Sequence, residues 1–157
     1  KGYHNQPELT AEAIDADGWF HTGDIAKIDE FRRVYITGRI KNMIVLSGGK
    51  KVFPEEVEAV LETSDMFSEV CVFGVSREGG AKDGTEDIAA VVVPTDEIKQ
   101  KYSDEELDKV MRAEVKRLSQ RLTPYKRPIN ISVLREALPR TATRKVQRKK
   151  VKELIQG

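Results

Sequence analysis

Four short stretches carry side chains with chemical potential. Thr22-Gly23-Asp24 sets a carboxylate in a glycine turn, where it can accept charge-assisted hydrogen bonds from a vicinal diol such as ribose. The plainer use of such an aspartate is to accept backbone amides where a strand begins. Gly38-Arg39 offers a planar fork of donors suited to ribose oxygens or phosphate, unless the arginine is merely solvated. Ser47-Gly48-Gly49-Lys50-Lys51 puts glycines beside two ammonium groups, but it lacks the G-x-x-x-x-G-K-S/T spacing of a phosphate-binding loop. A β-turn with positive φ accounts for it. Pro139-Arg140-Thr141-Ala142-Thr143-Arg144-Lys145-Val146 opens a segment, Arg140 to Lys152, with seven basic residues and no acidic one. Such a run reads as a solvated basic tail or as a nonspecific phosphate binder.

The elements that must position these stretches follow from apolar periodicity. Glu8 to Ile14 has a brief helical pattern, and Asp15 to Gly18 makes a turn. Ile25–Ile28 and Arg33–Thr37 are β-prone runs around a polar turn, which predicts a hairpin. Met43–Leu46 and Lys51–Phe53 predict a second strand pair around the glycines. Pro54, Glu55 and Glu56 suit a helix start, with Val57, Val60 and Leu61 on one face to about Thr63. Val70–Val75 and Ile88–Val93 are near-continuous apolar runs of the kind found in central strands buried on both faces. The charged, glycine-rich stretch between them, Arg77 to Asp87, is expected to be exposed. Ser103 and Glu106 form a capping box before a long amphipathic helix carrying Leu107, Met111, Val115, Leu118 and Leu122. Ile129–Leu134 reads as a strand, and a last helix is expected to turn Val151, Leu154 and Ile155 inward. The resulting order predicts an α+β fold, a small mixed β-sheet flanked by helices.

Bulk properties narrow the function classes. The chain has 157 residues, enough for one domain or one domain with an appended piece, and enough to bury a core without disulfides or metal. Its 27 basic and 26 acidic side chains leave a net charge of +1, which argues against wholesale binding to nucleic acid or membrane. No apolar stretch nears the roughly 20 residues needed to span a bilayer. Cys71 is the single cysteine and sits in an apolar run, so it reads as core, and a reducing cytoplasm is the expected setting. His4 and His21 are isolated, so no metal site is expected. Trp19 and Phe20 read as packing residues. The opening Lys1-Gly2-Tyr3-His4-Asn5 has neither initiator methionine nor signal-peptide pattern and reads as the interior of something longer.

The order GWFHTGD, GRIKNMI, SGGKKVFPEEVE and PRTATRKVQR resembles the adenylate-forming enzymes: acyl-CoA synthetases, peptide-synthetase adenylation domains and luciferases. The third and fourth strings look most like the fatty-acyl branch. The resemblance implies that residues 1–38 end a large N-terminal domain, that 39–42 form a hinge pivoting at Lys41, and that 43–157 are a mobile C-terminal lid. It implies that Asp24 and Arg39 hold the ribose of ATP or AMP, and that Lys145 enters the site for adenylation. Gly48, with Gly49 beside it, would leave passage for the pantetheine of CoA, since a missing Cβ lets backbone approach a thin tether. Pro139, Arg140, Thr141, Thr143, Lys145 and Arg148 match the family string, whereas Arg144 stands where glycine is common.

The implied activity is that of an ATP-dependent acid–thiol ligase. It activates a carboxylic acid, a long-chain fatty acid being the leading candidate, as acyl-AMP and passes it to CoA. Mg2+ would arrive with ATP, held mostly by the missing domain. The implied partners are these small molecules and no nucleic acid, with peripheral membrane association open to the full-length enzyme. The fragment alone is expected to be inactive. A competing reading is a free-standing module that uses residues 140–152 to bind RNA, an acidic protein or a membrane surface. That binding would fall steeply with salt, and the segment lacks interleaved aromatics.

Overall fold

The structure is a computed structural model that describes residues 2–76 and 84–156. Part of the predicted Arg77–Asp87 loop, residues 77–83, lies outside the described residues. The chain divides into two compact units between Lys41 and Asn42.

In the first unit, Pro7 opens helix α1 (Pro7–Ala13), where its missing N–H is no loss. The next turn is built by Asp15, whose Oδ1 accepts the amides of Asp17 and Trp19. Strands β1 (Asp24–Ile28) and β2 (Val34–Arg39) pair antiparallel as a hairpin. Asp29 Oδ1 accepts the Phe31 and Arg33 amides and so closes its loop. The register faces Asp24 with Arg39 across the pair, with a bulge between Ile25 and Ala26. Among the described residues of this unit only Gly38 is buried. Trp19 and Phe20 are therefore not packing residues here: they are 74% and 56% exposed. A small helix and a two-stranded ribbon bring too few apolar groups together to enclose an indole.

The second unit has a sheet with helices on both faces. The hairpin β3 (Ile44–Val45) and β4 (Lys51–Val52) leads into α2 (Pro54–Leu61). The central sheet is β5 (Phe67–Ser76), β6 (Glu86–Pro94) and β7 (Asn130–Val133), ordered β5-β6-β7. β5 and β6 are antiparallel and β6 and β7 parallel, so the sheet is mixed. Between β6 and β7 come α3 (Asp96–Lys101) and α4 (Asp104–Ser119), and α5 (Arg148–Gln156) ends the chain.

Strand alternation sorts the core into two halves. Val70, Val72, Ile88, Ala90, Val92 and Ile131 face α2 and α4, where Val57, Leu61, Leu107, Met111, Val115 and Leu118 complete one cluster. Cys71, Phe73, Ala89, Val91 and Val93 face the other way, onto Leu138 and Val151. Burial on both faces explains the unbroken valine runs.

Several expectations need correction. β5 is buried but lies at the sheet edge, not its centre, because among the described residues no strand other than β6 pairs with it. Glu86 and Asp87 begin β6 and are half-buried rather than part of an exposed loop. Helix α3 is an unforeseen single turn and a half, since its polar sequence carries little apolar period. Leu154 is 62% exposed, because α5 turns only Val151, with Ile155 partly buried, toward the sheet.

Candidate active site

The hairpin of the first unit brings Asp24 and Arg39 together. Register places them opposite each other, and Arg39 Nε donates to Asp24 Oδ1 at 2.6 Å. Gly23, at φ +71, makes the turn before Asp24, whose own amide donates to Thr22 Oγ1. Asp24 thus has both a guanidinium partner and a half-open face, with its side chain 22% exposed against 60% for Arg39. Such a pair can meet a diol with an acceptor and a donor from one place. Lys41 lies just beyond, exposed, in a short 3-10 turn, Ile40–Asn42. His21 Nε2 sits 3.0 Å from Asp15 Oδ2, away from any group of three metal-ligating side chains among the described residues.

In the second unit, residues 140–146 form a closed turn. Arg140 and Val146 make an isolated antiparallel bridge, and Thr141 N–H donates to the Lys145 carbonyl at 2.9 Å. Thr141 Oγ1 accepts the Lys145 amide, and Arg144 N–H donates to the Thr141 carbonyl. Arg144 has φ +63, the left-handed region that glycine adopts freely and other residues enter at about 1–2 kcal/mol. A glycine at this position would adopt the same angle without that cost.

The basic segment is less uniform than its composition. Arg140 is bound to Glu69 through Nε and Nη2, at 3.0 and 2.7 Å. Arg148 is bound to Glu58 at 2.6 Å and to Glu55 at 3.3 Å, and its Nε donates to the Val72 carbonyl. Lys152 Nζ donates to the Gly74 carbonyl. Lys145, between the two arginines, is exposed, and no carboxylate among the described residues pairs with it. It is an uncommitted ammonium on a braced turn.

Burial pushes the Glu58 carboxyl above its ordinary range, against the pull of Arg148 and the Val72 amide. Burial, reinforced by the nearby Glu58 charge, pushes the Cys71 thiol up to about 12. Cys71 is free, 1% exposed and unfit as a nucleophile.

The Ser47–Gly49 turn closes the β3–β4 hairpin, with Gly48 at φ +78 and Gly49 at φ +74. Both are exposed, and a Cβ added to either would meet nothing within 4 Å. Glycine is needed there for the backbone, and the space above it is open. A cleft beside the turn is lined by Leu46, Lys50, Asp87, Tyr125 and Ile129, with Lys50 Nζ 4.7 Å from the Tyr125 ring centre.

The lysine turn and the glycine turn stand at opposite ends of the sheet. Glu69, which holds the lysine turn, pairs with Val93; Ser47 and Lys50, which flank the glycines, line one cleft with Glu86, which pairs with Ser76. From Glu69 to Ser76 the strand runs about 23 Å at the usual rise. Sequence reasoning missed Glu69 and Glu58, because their arginine partners lie 71 and 90 residues away.

Fold and site together define a small α+β domain with the Lys145 turn at one end of its sheet and the Ser47–Gly49 turn at the other. A family model, AMP-binding enzyme C-terminal domain, matches residues 56–145, and the chain belongs to that family. It is 38% identical over 153 residues to a long-chain-fatty-acid–CoA ligase of Mycobacterium tuberculosis, covering 98% of this chain and 27% of that protein. It is 35% identical over 147 residues to a medium-chain fatty-acid–CoA ligase of Escherichia coli, covering 94% and 24%. Among solved structures it resembles the A domain of carboxylic acid reductase from Segniliparus rugosus in complex with AMP and a co-purified carboxylic acid. That likeness has a TM-score of 0.81 and 28% identity, over 99% of this chain and 25% of that one. The chain thus spans about a quarter of the length of the curated relatives it matches.

Proposed function

We propose that this chain is the C-terminal part of an AMP-forming acyl-CoA synthetase. The observation that carries the reading is the exposed Lys145 on its braced turn, with no carboxylate partner among the described residues. The first half-reaction joins a carboxylate oxygen to the α-phosphorus of ATP and expels pyrophosphate. Negative charge there meets negative charge, and Lys145 bridges the attacking and phosphoryl oxygens as charge builds. Asp24 and Arg39 hold the ribose, and Mg2+ comes with ATP as part of the substrate. In the second half-reaction the CoA sulfur attacks the acyl carbonyl and AMP leaves. The open backbone at Gly48 and Gly49 passes the pantetheine arm, and no ammonium is needed.

Between the two steps the lid turns about residues 39–42, with Lys41 absorbing the backbone change. A long-chain fatty acid is the favoured acyl substrate, supported by the likeness to fatty-acid ligases. Peripheral membrane contact by the full-length enzyme belongs to the same reading, and the buried free thiol of Cys71 favours a reducing cytoplasm. The competing use of residues 140–152 as a docking strip is weakened by Arg140, Arg148 and Lys152, whose charges are already engaged by Glu69, by Glu58 and by the Gly74 carbonyl.

The two half-reactions, measured separately in the full-length protein, test this. Lys145→Ala is expected to slow ATP–pyrophosphate exchange about a hundredfold or more while sparing thioester formation from supplied acyl-adenylate. Gly48→Trp is expected to do the reverse. The chain of 157 residues alone is expected to give no exchange. Equal loss of both steps in Lys145→Ala removes the assigned role.

A further inference from the structure

The lysine turn is fastened to the sheet through one side chain. Glu69 projects from β5 with its side chain 15% exposed, and its two oxygens do different jobs. Oε2 accepts the Leu138 amide at 2.6 Å, fixing the chain where it enters the turn. Oε1 accepts both Nε and Nη2 of Arg140. The remaining terminal nitrogen, Nη1, donates at 2.7 Å to the carbonyl of Arg144, the left-handed residue immediately before Lys145. Gln147 Nε2 then donates to the Arg140 carbonyl, closing the far side. A continuous path of charge-assisted hydrogen bonds therefore runs from a rigid strand to the peptide that aims the lysine.

We propose that Glu69, acting through Arg140, is a positioning residue for Lys145. This rests on the reading of Lys145 as the adenylation lysine. Glu69 touches the Leu138 amide and Arg140, and it is Arg140 that reaches the Arg144 carbonyl, so Glu69 acts on Lys145 at one remove. Without it, Arg140 loses its counter-charge, the left-handed Arg144 loses its brace, and the turn samples other conformations. A loosened turn misplaces the ammonium during adenylation and leaves the opposite end of the sheet, with Gly48, undisturbed.

The experiment uses the full-length protein and both half-reactions. Glu69→Gln is expected to lower exchange turnover about tenfold to a hundredfold, with thioester formation from supplied acyl-adenylate within about twofold of the parent. The deciding measurement is the double variant: if Glu69 acts through the lysine, Glu69→Gln with Lys145→Ala is no slower than Lys145→Ala alone. Losses that multiply, or that strike both half-reactions alike, overturn the inference. If Glu69→Gln does not accumulate as folded protein, Arg140→Ala at a site 41% exposed carries the same comparison. Should Lys145→Ala itself leave exchange intact, the functional reading fails. An impaired Lys145→Ala beside an unimpaired Glu69→Gln removes the inference alone.

Discussion

Arg144 shows what a single backbone angle asks of a residue. Its side chain is exposed and makes no hydrogen bond among the described residues, whereas its carbonyl accepts Arg140 and its φ of +63 sets the bend. Arg144→Gly removes the left-handed cost but loosens the unfolded chain, so stability is expected to stay within about 1 kcal/mol. Arg144→Val puts a β-branched side chain at a positive φ and is expected to cost about 1–3 kcal/mol. Urea denaturation of both variants checks this, and equal stability of the two would remove the constraint. The same position illustrates what sequence reading could and could not see. The Arg-for-Gly departure was visible in PRTATRK, but its meaning needed the angle. Asp24, Arg39, Gly48 and Lys145 were legible as chemistry-bearing residue types in or beside glycine turns and loops. Their partners were not: nothing near Arg140 in the chain points to Glu69, 71 residues earlier.

At the scale of elements, legibility followed the strength of the apolar pattern. The long helix α4 was readable because Leu107, Met111, Val115 and Leu118 recur at helical spacing, and all four are buried. Its start was readable too, for the Glu106 carboxylate accepts both the amide and the hydroxyl of Ser103. α3 was missed because its six residues, DEIKQK, hold one apolar side chain, and α5 was half-read because its single buried residue, Val151, sets the facing alone. The valine runs gave strands correctly, but two-sided burial cannot tell an edge strand from a central one when helices cover both faces. A pair of substitutions tests the facing. Leu118→Ala, at 1% exposure between α4 and the sheet, is expected to destabilise by about 2–5 kcal/mol. Leu154→Ala, at 62% exposure on α5, is expected to change stability by less than about 0.5 kcal/mol. A large loss at Leu154 in denaturant titration would mean that α5 is rotated from the orientation described.

For the whole molecule, the carboxylates set the response to acid. Hydrogen bonds from Arg117 and Ser64 hold Glu114 below its ordinary range, and Ser103 does the same for Glu106. The Trp19 amide and His21 lower Asp15, and hydrogen bonds from Arg33, Tyr35 and Phe31 lower Asp29 against desolvation. A carboxyl lowered by folding adds stability above its unfolded pKa and loses it as pH falls through the folded one. Glu58, raised by burial, works in the opposite sense, losing stability as pH rises from the ordinary carboxylate range to its raised value. Four lowered groups against one raised predict a melting temperature that drops as pH falls below the ordinary carboxylate range. Glu106 is exposed and screened, and Asp15 and Asp29 belong to the other unit, so Glu114, with a side chain 12% exposed, is expected to dominate among the lowered groups of its unit. Thermal unfolding of Glu114→Gln at neutral and acid pH checks this: the variant should narrow the difference between the two.

The placement of two turns at opposite ends of one strand pair makes the sheet a lever. A tip about 12 Å from its pivot moves about 1 Å for each 5° of wobble, an error that can cost a hundredfold in rate. Stiffness along β5 and β6 is then a requirement of aim as much as of stability. The tightly filled valine layers on both sides of that beam are what would keep each end aimed under the proposed two-step reaction.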